Sequence, residues 1–313
     1  MIGEADRERL PLACPACRGV VRWREGEARC EACGARYEEV NGILNLTQGS
    51  IGRPGYDPHF FSRLAEIEDG HFWFLTRRQV IVDALRQCVP DLASRRLFDI
   101  GCGTGGLLAF LSEAGVPLAG ACDAYPQGLE EASARVAAPL LLVDEGRLPP
   151  LGPGLSLVGL FDVLEHIDDD VGTLRWLASV LDPGGVLVLT LPAHPFLFGE
   201  MDELAHHRRR YTRAELRLKL ADAGFRILRL RHFMAPLVPI LALLKWVPSG
   251  GRGGSGDRRD SQLRVVPGLN RFLRVILGLE RIWIRFFPVP FGSSIIAVAV
   301  RPPAPSALPG GGA

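Results

Sequence analysis

The stretch Leu97-Phe98-Asp99-Ile100-Gly101-Cys102-Gly103-Thr104-Gly105-Gly106 constrains this chain more than any other. It reads as a buried strand that ends in an acid, turns through glycines and enters a helix near Leu107. Glycine is needed in such a turn because the backbone takes positive φ there, and because a ligand must come closer than any Cβ permits. A nucleotide-like cofactor is the expected ligand. Gly101, Gly103 and Gly106 also satisfy the dinucleotide spacing, and Asp123 follows at the distance expected of a ribose-binding acid. The loop taken alone leaves a dinucleotide open.

From Leu97 the chain alternates strand and helix, as a doubly wound parallel sheet requires. Leu118 to Cys122 predicts a second strand that ends in Asp123, whose carboxylate can accept both hydroxyls of a ribose. Leu140 to Val143 predicts a third, ending in Asp144. A fourth, Leu155 to Leu160, runs into Phe161-Asp162-Val163-Leu164-Glu165-His166-Ile167. Ligands of open α/β sheets bind outside the carboxyl ends of the strands, so this segment lies beside the ligand. His166 can there take a proton from an acceptor hydroxyl, or cap the strand end and bond Glu165. The turn Asp182-Pro183-Gly184-Gly185 precedes a fifth strand, Val186 to Leu191. Phe225 to His232 and Ser293 to Val300 are the sixth and seventh.

Before this unit stand two Cys-x-x-Cys knuckles, Cys14/Cys17 and Cys30/Cys33, separated by twelve residues. Each places two thiolates on one tight turn, and two facing turns give the closed four-sulfur shell that a structural zinc prefers. Tyr37, Val40, Ile43, Leu44 and Leu46 supply little apolar cover, so metal would supply much of the folding free energy. Cys88, Cys102 and Cys122 lie singly in apolar or glycine-rich surroundings, which speaks against a disulfide framework.

Net charge is +1, but residues 1–204 carry 17 basic and 30 acidic side chains against 19 and 5 in residues 205–313. Either the two parts complement each other across one folded surface, or the basic part faces an anionic acceptor or a membrane. Met1 to Leu10 holds five charges and no apolar run, so no secretory signal is read and a cytosolic protein is expected. Residues 233–247 are apolar but broken by Pro236 and Pro239, too short for a spanning helix. Leu269 to Phe287 mixes Ile, Leu, Phe and Trp283 with Arg271, Arg274, Arg281 and Arg285. That composition fits an interfacial amphipathic helix, a lid over the acceptor site, or a dimer contact.

The motifs from His71 to Arg301 fall in an order that resembles class I S-adenosylmethionine (SAM) methyltransferases. Asp-Ile-Gly-Cys-Gly-Thr-Gly looks like their first motif, Leu164-Glu165-His166-Ile167 like their fourth, and the Pro-Gly-Gly turn is common at its position. His71-Phe72-Trp73-Phe74 with Arg77-Arg78, then Pro192-Ala193-His194, Asp202 and His207-Arg208-Arg209-Arg210-Tyr211-Thr212, recur in one set of these enzymes. The N-terminal module resembles zinc ribbons fused to, or partnered with, methyltransferases.

The resemblance implies a Rossmann-like α/β fold with a seven-stranded doubly wound sheet. It implies SAM held by Asp99, Gly101, Gly103, Gly105, Asp123, Asp144 and Asp162, with Asp144 near the adenine amino group. The acceptor would meet Trp73, Arg77, His194, Arg209, Arg210 and Tyr211, and His166 or His207 would receive its proton. Forked guanidiniums suit a carboxylate or phosphate, although Thr212 can cap a helix from Arg213 and at least one arginine is expected to be structural.

The expected organisation is a zinc ribbon over 1–46, a linker over 47–65, and a methyltransferase domain over 66–302. A helical insertion over 234–292 contains a flexible loop, 248–262, and a tail over 303–313 is expected to be disordered. The expected activity is methyl transfer to a small-molecule acceptor at oxygen, the acceptor being anionic or lipid-linked, with peripheral membrane contact through 234–292. An RNA base methyltransferase anchored by the ribbon is disfavoured by the 7 basic and 8 acidic side chains of residues 1–46. A catalytically silent SAM-binding partner protein is the alternative from another class.

Overall fold

The computed structural model describes residues 3–24, 26–48, 58–244 and 266–303. Strands are β1 (Val21–Arg24), β2 (Glu27–Cys30), β3 (Arg36–Val40), β4 (Ile43–Asn45), β5 (Leu97–Ile100), β6 (Leu118–Asp123), β7 (Leu140–Leu142), β8 (Leu155–Phe161), β9 (Leu181–Pro192), β10 (Arg226–Phe233) and β11 (Ser294–Val300). Helices are α1 (Glu4–Glu8), α2 (Pro58–Glu68), α3 (Phe72–Cys88), α4 (Gly106–Glu113), α5 (Pro126–Arg135), α6 (Asp170–Val180), α7 (Glu200–Leu204), α8 (Arg213–Asp222), α9 (Leu237–Leu244) and α10 (Pro267–Phe286).

The strands join in the order β1-β2-β3-β4-β7-β6-β5-β8-β9-β11-β10. From β4 to β9 each neighbouring pair is parallel, and β11 runs antiparallel to both β9 and β10. The strands are buried on both faces, which is why they read as near-continuous apolar runs. The two-residue period of a strand divides them between two cores. Phe98, Ile100, Leu187 and Leu189 pack on one face with Leu174 and Leu177 of α6 and Leu216 and Leu220 of α8. Leu97, Val186 and Val188 pack on the other with Ile81 and Leu85 of α3, Leu108 and Leu111 of α4, and Leu273 and Leu277 of α10.

Among the described residues the sheet has eleven strands, not the expected seven. β1 to β4 form an antiparallel run from the cysteine module, and β4 pairs in parallel with β7 through Ile43 with Leu140, Leu44 with Leu141 and Asn45 with Leu142. The edge that β7 would expose is thereby covered. Leu10, Leu12, Trp23, Leu44 and Leu46 share the core of α6 and α8, so the module is built onto the sheet. Trp23 is its largest buried side chain and donates to Glu39 Oε2 at 2.8 Å. Val40, expected to cover the module, is exposed.

Pro58 opens α2, so the last part of the segment expected as linker is helical. The insertion contributes α9 and α10. Asn270 Oδ1 accepts from Phe72 N at 2.8 Å, and Arg281 grips both oxygens of Asp83 at 2.6 and 3.0 Å, fixing α10 along α3. The predicted loop 248–262 lies outside the described residues, as does the predicted tail beyond Pro303. No described helix is long and apolar enough to cross a membrane.

Candidate active site

The loop between β5 and α4 turns through Gly101, Gly103 and Gly105 at φ of +81°, +53° and +74°. A Cβ on Gly101 would stand 2.5 Å from Val163 Cγ2, and one on Gly105 would stand 2.8 Å from Ala132 Cβ. Packing therefore forbids a side chain at both. A Cβ on Gly103 would meet nothing within 4 Å, so that glycine faces open space. Asp123 holds the turn against β6, its Oδ2 accepting from Gly103 N at 2.7 Å and its Oδ1 from Tyr125 N at 3.0 Å.

Asp99 is 2% exposed, and its Oδ1 has no hydrogen-bond partner. Burial pushes its carboxyl up to about 7; the charge of Arg77 pulls it down and that of Asp123 pushes it further up. Glu68, the last residue of α2, closes the other side of the loop. It accepts from Thr104 Oγ1 at 2.7 Å and from Arg135, and it occupies the space a Cβ on Gly106 would need. Sequence reasoning missed Glu68, because an acid at the end of a surface-patterned helix carries no local mark of burial.

Trp73, Arg77 and Asp162 are brought together. Arg77 Nε lies 2.5 Å from Asp162 Oδ2, its Nη2 donates to Phe161 O at 2.7 Å, and its guanidinium lies 5.1 Å from the Trp73 ring centroid. Asp162 itself sits at φ +57°, an unusual backbone for a non-glycine residue at a strand end. Asp144 is placed differently: its Oδ2 accepts from Gln48 N at 3.0 Å, tying the chain just past β7 to the chain that leaves the cysteine module.

Beyond β8, the turn Leu164–His166 presents Glu165 and His166 to His207. The rings of His166 and His207 meet edge to face with centroids 4.9 Å apart, and His207 Nε2 lies 3.9 Å from Glu165 Oε1. Asp202 Oδ1 lies 2.8 Å from His207 Nδ1, which fixes the ring. Desolvation, and then the neighbouring His207, pushes His166 down to about 4, although the outer part of its side chain is exposed. Its ring is therefore neutral near pH 7.

The arginine string does not present free forks. Arg208 Nε donates to His166 O at 3.1 Å, Arg209 Nη1 pairs with Asp170 at 3.3 Å, and Arg210 Nε lies 2.8 and 2.9 Å from the two oxygens of Asp202. Tyr211 is fully buried and donates to Asp170 Oδ2 at 3.0 Å. Thr212 caps α8, accepting from Glu215 N at 3.1 Å. Arg209, Arg210 and Tyr211, expected at the acceptor, are a latch that holds residues 207–211 across the Leu164–His166 turn. The physical reason is the density of acids there, since Asp168, Asp170 and Asp202 claim the guanidiniums first. His194 lies at φ +62°, stacked on His232 at 4.8 Å between centroids.

A model of the "Methyltransferase domain" family matches residues 73–230, from Trp73 through the glycine loop and the Leu164–His166 turn to the latch at residues 207–211. The chain belongs to that family. A ubiquinone biosynthesis O-methyltransferase of Parvibaculum lavamentivorans is 30% identical over 190 residues, 55% of this chain and 71% of that protein. One of the same description from Alkalilimnicola ehrlichii is 29% identical over 122 residues, 36% of this chain and 49% of that protein. The Haemonchus contortus phosphoethanolamine N-methyltransferase 2, solved with SAM, shares the fold at a TM-score of 0.51 and 17% identity over 80% of this chain and 58% of that one.

This methyltransferase is SAM-dependent. The open face above Gly103 and the unpartnered oxygen of Asp99 fit a cofactor that carries both a nucleoside and positive charge. At the other end of the chain, the Sγ atoms of Cys14, Cys17, Cys30 and Cys33 lie within 4.8 Å of one another. Cys14 and Cys33 are 3.7 Å apart and Cys17 and Cys30 3.5 Å, near the edge of a tetrahedron with metal–sulfur bonds of about 2.3 Å.

Proposed function

We propose that this methyltransferase transfers the methyl group of SAM to an oxygen of a small-molecule acceptor. The observation that carries the reading is the His166 ring packed edge to face on a carboxylate-oriented His207 at the carboxyl edge of β8. Methylating a hydroxyl releases a proton, and this pair is placed to receive it. Bound SAM supplies an activated methyl and a neutral leaving group. In the transfer the acceptor oxygen forms the new bond to carbon, the carbon–sulfur electron pair stays on sulfur, and the hydroxyl proton passes to imidazole.

The remaining work is positioning. Gly101, Gly103 and Gly105 let the backbone approach the cofactor, Asp123 is placed for its ribose, and Asp99 and Asp162 supply negative charge beside it. Trp73 and Arg77 wall the side facing the acceptor, and His194 lies next to the latch. The O-methyltransferase relatives support oxygen as the methylated atom. The four cysteines hold a structural zinc, and Tyr37 Oη at 3.0 Å from Cys14 Sγ supports one thiolate of that shell. With the arginines latched to acids, the observations favour a lipid-borne acceptor over a free anion, reached through the exposed apolar face of α10.

The test is single-turnover methylation of a panel of phenolic and lipid-linked hydroxyl acceptors by wild type, His166→Gln and His207→Gln. The reading expects both variants to lose at least 100-fold in rate while binding S-adenosylhomocysteine as wild type does. Wild-type rates in both variants would remove the proton-acceptor role, and transfer only to amines would remove oxygen.

A further inference from the structure

Glu165, His166 and His207 carry more than a proton-acceptor role explains. Each offers one ligand atom, and these atoms lie within 4.8 Å of one another. Glu165 is wholly buried, and neither of its carboxylate oxygens has a hydrogen-bond partner. A buried carboxylate left in that state is costly, and interiors retain one where something else completes it. Arg77 and Arg210 act on its charge from a distance, and Asp162 acts against them, yet none of the three bonds to it.

The surroundings orient the imidazoles toward that carboxylate. His207 Nδ1 is engaged by Asp202 Oδ1 at 2.8 Å, which turns Nε2 inward to 3.9 Å from Glu165 Oε1. Asp202 is itself held by Gly199 N at 3.0 Å and by Arg210. A carboxylate behind a histidine is the arrangement that fixes the ring of a metal ligand and raises its basicity. His166 Nδ1 lies 3.3 Å from His206 O, and His166 is an exposed residue, so the cluster reaches the surface there.

We infer that Glu165, His166 and His207 form a second metal site, taking a divalent transition-metal ion and leaving coordination positions open to a ligand. Two histidines and one carboxylate are the donor set of open sites for Zn²⁺, Mn²⁺ or Fe²⁺, in contrast to the closed four-sulfur site of the N-terminal module. The site stands whatever the acceptor is. Its consequence rests on the O-methylation reading: with an ion bound, His166 and His207 serve as its ligands in place of receiving the acceptor's proton, and the ion would bind the acceptor oxygen and make its hydroxyl a stronger acid, the proton leaving to solvent.

Manganese separates the two sites, because thiolates do not favour it. Full-length protein is loaded with one equivalent of Zn²⁺, freed of excess metal, and titrated with Mn²⁺ while the paramagnetic resonance of free Mn²⁺ is followed. The expected result is one further equivalent bound by wild type, with affinity reduced at least tenfold in both Glu165→Gln and His166→Gln. S-adenosylhomocysteine binding, measured on the same samples, reports folding, and the exposed His166 makes its variant the one that keeps the fold. No saturable Mn²⁺ binding by wild type, or unchanged binding in a folded His166→Gln protein, overturns the site. Mn²⁺ bound without any methylation of hydroxyls retains the site and removes the oxygen reading; hydroxyl methylation by a protein that binds no Mn²⁺ does the reverse.

Discussion

Arg210 holds Asp202 by lying 2.8 and 2.9 Å from its two carboxylate oxygens, while the same carboxylate fixes His207 at 2.8 Å. Asp202 is 1% exposed as a side chain and Arg210 10%, so the pair is largely out of water. Removing one partner strands the other, at a typical cost of about 3 to 5 kcal/mol. Asp202→Asn is accordingly expected to lower stability by about 3 kcal/mol in urea denaturation. It should also lower turnover by about tenfold to a hundredfold through loss of His207 orientation. Unchanged turnover in a folded variant would show that the ring needs no such support.

The glycines of the loop differ in what they protect. Gly105→Ala meets Ala132 Cβ at 2.8 Å and its Cα at 2.9 Å, so both stability and S-adenosylhomocysteine binding should fall. Gly103→Ala meets no atom and costs only its positive φ, about 1 kcal/mol, yet it places a methyl group where the cofactor approaches. Calorimetry should show Gly103→Ala losing far more affinity than stability. A Gly103→Ala protein that binds S-adenosylhomocysteine normally would move the cofactor off this face.

Asp99 gives the apo protein a pH dependence with a definite sign. Its folded value of about 7 lies above the ordinary 3.8, so the folded state binds more protons between those limits. Stability from this group is full below pH 4 and is lost as pH rises toward 7, on the order of 4 kcal/mol in all. Denaturation of wild type and Asp99→Asn across pH 4 to 8 should show the variant gaining relative stability as pH rises. A difference that does not vary with pH would mean Asp99 is ionised throughout.

Because β4 pairs with β7 and the cysteine module shares its core with α6 and α8, metal loss should not be a local event. With zinc proposed at the four cysteines, treatment with a strong chelator, or Cys14→Ser, is expected to lower the melting temperature of the whole chain in one shifted transition. Two separate transitions, the larger unmoved, would show that the module folds apart from the sheet.

Helix α10 turns Leu269, Phe272, Leu279, Ile282, Trp283 and Phe286 outward, each more than half exposed, with exposed Arg271, Arg274 and Arg285 along the same helix. Apolar side chains bordered by arginines suit an anionic lipid surface. The protein is expected to sediment with phosphatidylglycerol vesicles at low salt, and Phe272→Glu with Trp283→Glu should abolish this without changing the melting temperature. Dimerisation without vesicle binding would assign the face to a second copy.

Much of the site was legible because its signals are local. The glycine loop, the acid that ends β6 and the Glu165-His166 step each follow a strand whose apolar run marks its end. The arginine string misled for the opposite reason. Its composition is that of an anion site, but Asp170 and Asp202 neutralise it, and their proximity to Arg209 and Arg210 depends on how residues 193–211 return across the end of β8. Glu68 was invisible because its partners Thr104 and Arg135 lie 36 and 67 residues away.

The sequence by itself determined the strand–loop–helix at Gly101 to Gly106, the α/β alternation and the two cysteine knuckles. Those features follow from backbone conformation, periodicity and spacing within a few residues. Only the tertiary structure decided that the cysteine module extends the sheet, that Tyr211 is core, and that Glu165 lies bare beside two histidines. These outcomes depend on which distant segments share an edge or a crevice, and burial and charge compensation act only once they meet.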